Sequence, residues 1–377
     1  VELFDFIDLP EENPAYLREQ LITYIGNKRA LLPFIGQGLE RVRQRLGKKR
    51  LATFDVFSGS GIVARYLKLF SERLVANDLE PYAFVINSCY LQNKSALPME
   101  ELEVWYHHLR SALTEDRLEP GFISELYAPQ NMEQIQEGER CFYTPRNARY
   151  IDTARRHIET VPQNLRAFFL APLLAEASVH ANTSGVFKGF YKNADTGRGQ
   201  FGGKNRDALN RILGPIELPF PVFSHFDSDV ELYQEDSNQL VHRIDPVDVA
   251  YIDPPYNQHP YGSNYFMLNI ITAYERPRLV SPVSGIPDNW NRSRYNKKQY
   301  AREALLELVE AIKAPYLLLS FNSEGFISLP EMLELLQKVG KTEVLETRYN
   351  TFRGSRNLRN RPVHVKEYLY LVEKRKF

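Results

Sequence analysis

The chain has 377 residues, 43% of them hydrophobic and 25% charged, with 47 acidic against 47 basic side chains; this is enough for a full core and, at ordinary domain sizes, two domains. No run approaches the roughly 18 uninterrupted apolar residues a membrane span needs, and the acidic start (Glu2, Asp5, Asp8, Glu11, Glu12) lacks the basic and apolar regions of a signal peptide, so a cytoplasmic, membrane-free protein is expected. Cys89 and Cys141 are the only two cysteines; far apart and outside any metal-ligand spacing, they suggest neither a disulfide framework nor a zinc site, and the histidines show no metal spacing either, so no metal is expected.

In chain order, Leu51 to Phe57 reads as a buried strand running into Ser58-Gly59-Ser60-Gly61, and Ile62 to Phe70 then has helical spacing of its apolar residues. A second strand, Arg73 to Ala76, ends at Asn77-Asp78-Leu79, and Pro81 marks the start of an apolar helix reaching Leu91. From about Asn93 to Phe226 the alternation of strand and helix is lost. This segment begins as a helical stretch in which Pro98 to Arg140 carries ten acidic and three basic residues, and ends rich in Gly, Asn, Lys and Tyr, with six basic and two acidic residues from Thr183 to Arg211. We read residues 93–226 as an inserted domain between two parts, 1–92 and 227–377, of one α/β domain. The α/β pattern resumes with strands at Val230 to Gln234, before Glu235-Asp236-Ser237, and Val247 to Ile252, before Asp253. Tyr316 to Ser320 is a further strand, Leu329 to Val339 a helix, and Glu343 to Tyr349 and Val365 to Val372 are the final strands. Two strands in succession, joined by a basic loop, predict an antiparallel edge on an otherwise parallel sheet. Residues 341–377 hold ten basic and four acidic side chains, so a neutral chain with two basic segments can still hold a polyanion along one face.

The sharpest local signal is Asp253-Pro254-Pro255-Tyr256, directly after the apolar Val249-Ala250-Tyr251-Ile252. In an open α/β sheet, ligands bind at the carboxyl ends of strands, where this tetrapeptide would lie. Its prolines fix φ and remove two backbone donors, so the turn presents carbonyl acceptors. A carboxylate and a carbonyl can each accept one hydrogen of an exocyclic amine, while the Tyr256 ring stacks on a flat base. The competing reading is a surface turn, which the preceding buried strand disfavours. Phe54-Asp55-Val56-Phe57-Ser58-Gly59-Ser60-Gly61 is a second constellation, a glycine turn feeding the amino end of a helix. It lacks both the Gly-x-Gly-x-x-Gly spacing of dinucleotide sites and the Gly-Lys-Ser/Thr of phosphate loops. Asp78, at the end of the next strand, suits ribose hydroxyls or, alternatively, a helix cap.

Together these segments resemble the Dam-like (D12 class, alpha group) adenine-N6 DNA methyltransferases, and within them restriction-system methylases. Tyr24-Ile25-Gly26-Asn27-Lys28 looks like the family's N-terminal cofactor motif, Asp55 to Gly61 its glycine-rich motif, Asn77-Asp78 its ribose-binding acid, and Asp253 to Tyr256 its catalytic tetrapeptide. The resemblance implies a Rossmann-like class I methyltransferase sheet with an antiparallel C-terminal edge strand and a mainly helical target-recognition insertion. It implies S-adenosylmethionine held by Tyr24, Gly26, Lys28, Asp55, Phe57, Ser58, Gly59, Gly61, Asp78, Leu79, Asp236, Ser237 and Asp253. Ser237 departs from the phenylalanine the family often has there. The implied reaction is direct in-line methylation of N6 of an adenine rotated out of double-stranded DNA, with Asp253, Pro254, Pro255 and Tyr256 catalytic. Lys188, Tyr191, Lys192, Lys204 and Arg206 in the insertion, and Arg353 and Arg356 in the last loop, are the candidate DNA contacts, with solvated surface charge the competing reading. A paired restriction endonuclease is left open, and a monomer is the simpler stoichiometry. Rival readings are a cytosine-N4 or RNA amino-methyltransferase, a catalytically dead DNA-binding subunit, and an NAD oxidoreductase.

Overall fold

The computed structural model describes residues 12–19, 22–203, 206, 208–350 and 364–376. Seven strands form one sheet: β1 Leu51–Asp55, β2 Ser71–Asn77, β3 Asp229–Tyr233, β4 Val249–Ile252, β5 Tyr316–Asn322, β6 Gly340–Asn350 and β7 His364–Lys374. Their spatial order is β3-β2-β1-β4-β5-β7-β6. The first five run parallel, whereas β7 lies antiparallel to both β5 and β6. The antiparallel edge expected from the sequence is present, with the last strand slotted inside the sheet and β6 left as its rim.

All residues of β4 and β5 are buried, because helices cover both faces of a parallel sheet and leave no polar side for alternation. The side chains divide by the period of two that a strand imposes. Tyr251, Leu318, Leu369 and Leu371 enter one core; Ala250, Ile252, Leu317, Leu319, Tyr370 and Val372 enter the other. The first core is covered by helices Leu32–Leu46, Ile62–Lys68 and Pro81–Tyr90, the second by Lys298–Ala311 and Leu329–Val339. Proline at the first turn starts Pro81–Tyr90, and a capping box between Ser328 and Glu331 starts Leu329–Val339.

The stretch between β2 and β3 contributes helices Met99–Ala112, Phe122–Tyr127, Pro145–Ile158, Ala167–Val179 and Leu209–Leu213. Helix Ala167–Val179 is apolar nearly all round, and it is buried accordingly, against Pro81–Tyr90, Phe266–Ala273 and Pro145–Ile158. The insertion therefore shares a continuous hydrophobic core with the sheet's helices. Between β1 and β4 the order of strands reverses direction, and such a switch point opens a crevice at the carboxyl ends of the strands.

Candidate active site

Four segments converge on that crevice because each follows the carboxyl end of an adjacent strand: residues 56–61 after β1, 78–80 after β2, 235–237 after β3 and 253–256 after β4. They wall a cavity of about 880 Å³. Of the cofactor candidates, Tyr24, Gly26, Lys28, Phe57, Ser58, Gly59, Asp78, Leu79, Asp236, Ser237 and Asp253 line it, as does Pro255. Asp55, Gly61, Pro254 and Tyr256 do not. Asp55 lies fully buried with neither carboxyl oxygen hydrogen-bonded. Burial, and then the nearby carboxylates of Asp253 and Asp78, push its pKa well up. Gly61 caps helix Ile62–Lys68 at φ +77°, where a Cβ would stand 2.7 Å from Asn87 Oδ1.

The glycine turn is held from below. Asn77 Nδ2 donates to the carbonyls of Val56 and Glu235 and to Ser237 Oγ, so the ends of β1, β2 and β3 share one side chain. The Gly59 amide donates to Asp78 Oδ2 at 2.8 Å, and the Glu80 amide to Asp78 Oδ1 at 2.9 Å. Asp78 thus fastens the turn as well as facing the cavity, and burial raises its pKa against these bonds. Gly59 has φ +50°, and a Cβ there would meet the Tyr24 ring at 3.0 Å. Tyr24 in turn stacks on both Tyr261 and Tyr265, with ring centroids 5.0 and 4.7 Å away. At the far end, Asp236 caps helix Ser237–Leu240 by accepting from the amides of Asn238 and Gln239, and Phe57 packs edge-on against Tyr295.

Asp253 is 17% exposed. Burial and the Glu367 carboxylate push its pKa up, Lys28 opposes them, and the result is about 7. Lys28 Nζ lies 3.4 Å from Asp253 Oδ1 and 2.6 Å from Glu367 Oε1. Burial works against the ammonium, but the two carboxylates outweigh it and hold Lys28 well above its ordinary range. The Tyr256 hydroxyl accepts from Asn322 Nδ2 at 2.8 Å, its carbonyl accepts from the Phe326 amide, and its ring packs on Phe321. The tetrapeptide is therefore braced from β5, with the Asp253 carboxylate lining the cavity and Tyr256 beside it. Such a site can position a planar amine by hydrogen bonds and electrostatics.

A profile of the D12 class N6 adenine-specific DNA methyltransferases matches residues 24–322, from the Tyr24 motif to the end of β5. The chain belongs to this family. Among curated relatives of this methyltransferase, the type II methyltransferase M.NlaIII of Neisseria lactamica is 28% identical over 367 residues, covering 94% of this chain and 99% of the relative. The type II methyltransferase M.CviAII of Paramecium bursaria Chlorella virus 1 is 29% identical over 360 residues, 93% of this chain and 98% of the relative. The modification methylase StsI of Streptococcus sanguinis is 26% identical over 377 residues, 94% of this chain but 52% of that longer protein. The enzyme is thus an adenine-specific DNA methyltransferase of the kind found in restriction-modification, built on a mostly parallel seven-stranded sheet.

In this methyltransferase the basic insertion segment sits beside the chain that follows the tetrapeptide. The Phe187 amide donates to the Asn264 carbonyl at 2.8 Å, and Lys188 is close enough to His259 to help depress its pKa after burial. Lys188, Lys192 and Arg206 are exposed, and Tyr191 is half-buried. Phe187 belongs to the core. Lys192 pairs with Gly199 across a small turn and lies over the Phe190 ring. Lys204, Arg353 and Arg356 lie outside the described residues. Among the described residues no group of three or more His, Cys, Asp or Glu is arranged to hold a metal ion, and no helix is long and apolar enough to cross a membrane.

Sequence reasoning missed several lining residues: Glu80, Tyr261, Gly262, Asn291, Ser293, Tyr295 and Asn296. Glu80 is buried and raised to about 7, chiefly by burial, while Asn269 and Asn291 bond its carboxyl. Tyr261 and Tyr265 share the four-residue spacing of a helical face shortly after the tetrapeptide, which was the one available signal. Residues 291–296 carry no local signature.

Proposed function

We propose that the cavity binds S-adenosylmethionine and that the enzyme methylates N6 of an adenine turned out of double-stranded DNA, by direct transfer without a covalent enzyme intermediate. The observation that carries this reading is Asp253-Pro254-Pro255-Tyr256 at the end of β4, with Asp253 and Pro255 lining the cavity walled by the glycine turn and Asp78. The cavity suits that cofactor: aromatic surface at Phe57 and Tyr295 for a purine, and acids at Asp78 and Asp236 for hydroxyls or amino groups. When bound, it supplies an electrophilic methyl group on a positively charged sulfonium.

The chain's residues provide position and charge. Adenine's amino nitrogen is a poor nucleophile because its lone pair is delocalised into the ring. Asp253 carboxylate and a proline carbonyl of the tetrapeptide accept its two hydrogens, which favours the pyramidal, reactive geometry, while the Tyr256 ring faces the base. Once it had accepted the methyl group that a cofactor held here would supply, the amino nitrogen would have to shed a proton. Asp253, with its pKa near 7, is suited to take that proton and pass it to water. Rotation of the base out of the helix is required because its amino group, stacked in a duplex, cannot reach a buried sulfonium. Residues 93–226 act as the target-recognition domain, with Lys188, Tyr191, Lys192 and Arg206 facing DNA. The enzyme works as a cytoplasmic monomer, and the type II names of two relatives support pairing with a restriction endonuclease.

The test is to incubate the protein with S-adenosylmethionine and unmethylated DNA, digest to nucleosides and analyse by mass spectrometry. N6-methyladenine is expected; N4-methylcytosine, or no mark despite cofactor and DNA binding, overturns the reading.

A further inference from the structure

Glu367 sits on β7 at 2% exposure, directly across the strand pair from Asn322. A carboxylate buried in a sheet is strongly disfavoured unless paired, and a well-packed apolar side chain would usually serve stability as well or better. Here Glu367 Oε1 accepts from Lys28 Nζ at 2.6 Å and from Ser320 Oγ at 2.7 Å. Its register partner Asn322 is the residue that holds the Tyr256 hydroxyl. Asp253 Oδ1 is buried, 3.4 Å from the same ammonium, and makes no hydrogen bond. Two carboxylates therefore share one ammonium, and the ammonium is drawn to the one farther from the cavity. Other groups facing this trio are the buried Asp55 and the phenols of Tyr251, Tyr256 and Tyr261, none of which adds a positive charge.

We propose that Glu367 is a positioning residue for methyl transfer: it draws Lys28 off Asp253 and so leaves Asp253 a carboxylate whose acceptor oxygens are free for the substrate's amino group. The inference rests on the transfer reading above and adds to it a residue outside the stretch that the family profile matches. Without Glu367, Lys28 closes onto Asp253. The carboxylate is then neutralised in a tight pair that the amine must break, and its proton affinity falls.

Glu367→Gln keeps the size and an acceptor oxygen while removing the charge. The expected result is a folded protein that binds DNA as the wild type does, with kcat reduced about tenfold or more. The acid limb of its pH-rate profile should move to lower pH by about one unit or more. A purely structural role would lower the melting temperature and leave that limb in place. Lys28→Met gives a second arm: because Glu367 frees the Asp253 oxygens through Lys28, adding Glu367→Gln to Lys28→Met should change kcat on the alkaline plateau of the pH profile by less than about twofold. An unmoved limb with wild-type kcat in Glu367→Gln, or independent additive losses in the double variant, overturns the proposal.

Should the variants not fold, carbon-13 carboxyl titration of the cofactor-free wild type decides. Asp253 is expected to titrate near pH 7, and an Asp253 that titrates within the usual carboxylate range overturns the proposal. The wild-type nucleoside analysis is separate. A mark on cytosine would remove the adenine reading and leave the comparison of Glu367 variants measurable on that product.

Discussion

Asp253→Asn is the most direct probe of the chemistry. The substitution preserves shape, and Lys28 keeps its 2.6 Å contact with Glu367, so no buried ammonium is orphaned and the fold should survive. What disappears is a charged acceptor. A hydrogen bond to a charged group contributes about 1.5–3 kcal/mol, or roughly 10-fold to 150-fold in rate. In an enzyme site, loss of one preorganised electrostatic partner lowers kcat by roughly 100-fold to 1,000-fold. The amide can also turn its NH2 toward the substrate amine, and it cannot take the departing proton, so the upper range is expected. The assay is initial-rate transfer of labelled methyl groups to DNA, alongside equilibrium binding of DNA, which should be unaltered. The pH dependence gives a second reading. Asp253 is active as a carboxylate with its pKa raised to about 7 in the cofactor-free protein, so wild-type kcat/KM should rise as pH passes through about 7 and level above it. The asparagine variant should lack that limb. Retention of more than about a tenth of wild-type kcat would refute the acceptor role.

A positively charged ligand in the cavity should pull the Asp253 pKa down. Binding of S-adenosylmethionine near pH 7 should then release about half a proton, seen by calorimetry in buffers of differing ionisation enthalpy, and the neutral thioether product should release less; equal release by both would exclude it. Gly61→Ala places a methyl group 2.7 Å from Asn87 Oδ1 at φ +77°, which should destabilise the fold by about 1–3 kcal/mol in a denaturant melt and loosen Ser58, to which Asn87 bonds. An unchanged midpoint would mean that the turn relaxes freely. Lys188→Ala and Lys192→Ala should each lower the slope of log affinity for DNA against log salt by about one, with kcat unaltered at saturating DNA. Identical slopes would mark them as solvated surface charge.

Much of the sheet was legible because its strands are short apolar runs ending at polar turns. Leu51 to Phe57 and Val249 to Ile252 announce themselves this way, and each delivers a motif whose residues are contiguous. Asp78 and Asp236 were reachable for the same reason, standing just past the ends of β2 and β3. Less legible was anything assembled across the chain. Glu367 reads as one more charge in a basic tail until antiparallel pairing sets it opposite Asn322. Glu80 looks like a surface acid beside a helix start until Asn269 and Asn291 enclose it. Asp55 sits inside a glycine-rich motif, yet it is fully buried and does not line the cavity, although its register partner Tyr251 does. Phe187 and its aromatic neighbours show the limit of composition: a residue flanked by lysines and glycines looks like a nucleic-acid contact, and only packing against Phe142 and Phe266 reveals it as core.

The contact between Lys28 and Glu367 spans 339 positions of sequence. During synthesis the Asp253 segment leaves the ribosome more than a hundred residues ahead of the strand that relieves it of Lys28. Until β7 inserts beside β5, β6 has no partner on the sheet and the carboxylate's surroundings are incomplete. The charge arrangement around Asp253 is therefore completed late in each nascent chain, and fragments ending before β7 would hold the tetrapeptide without it.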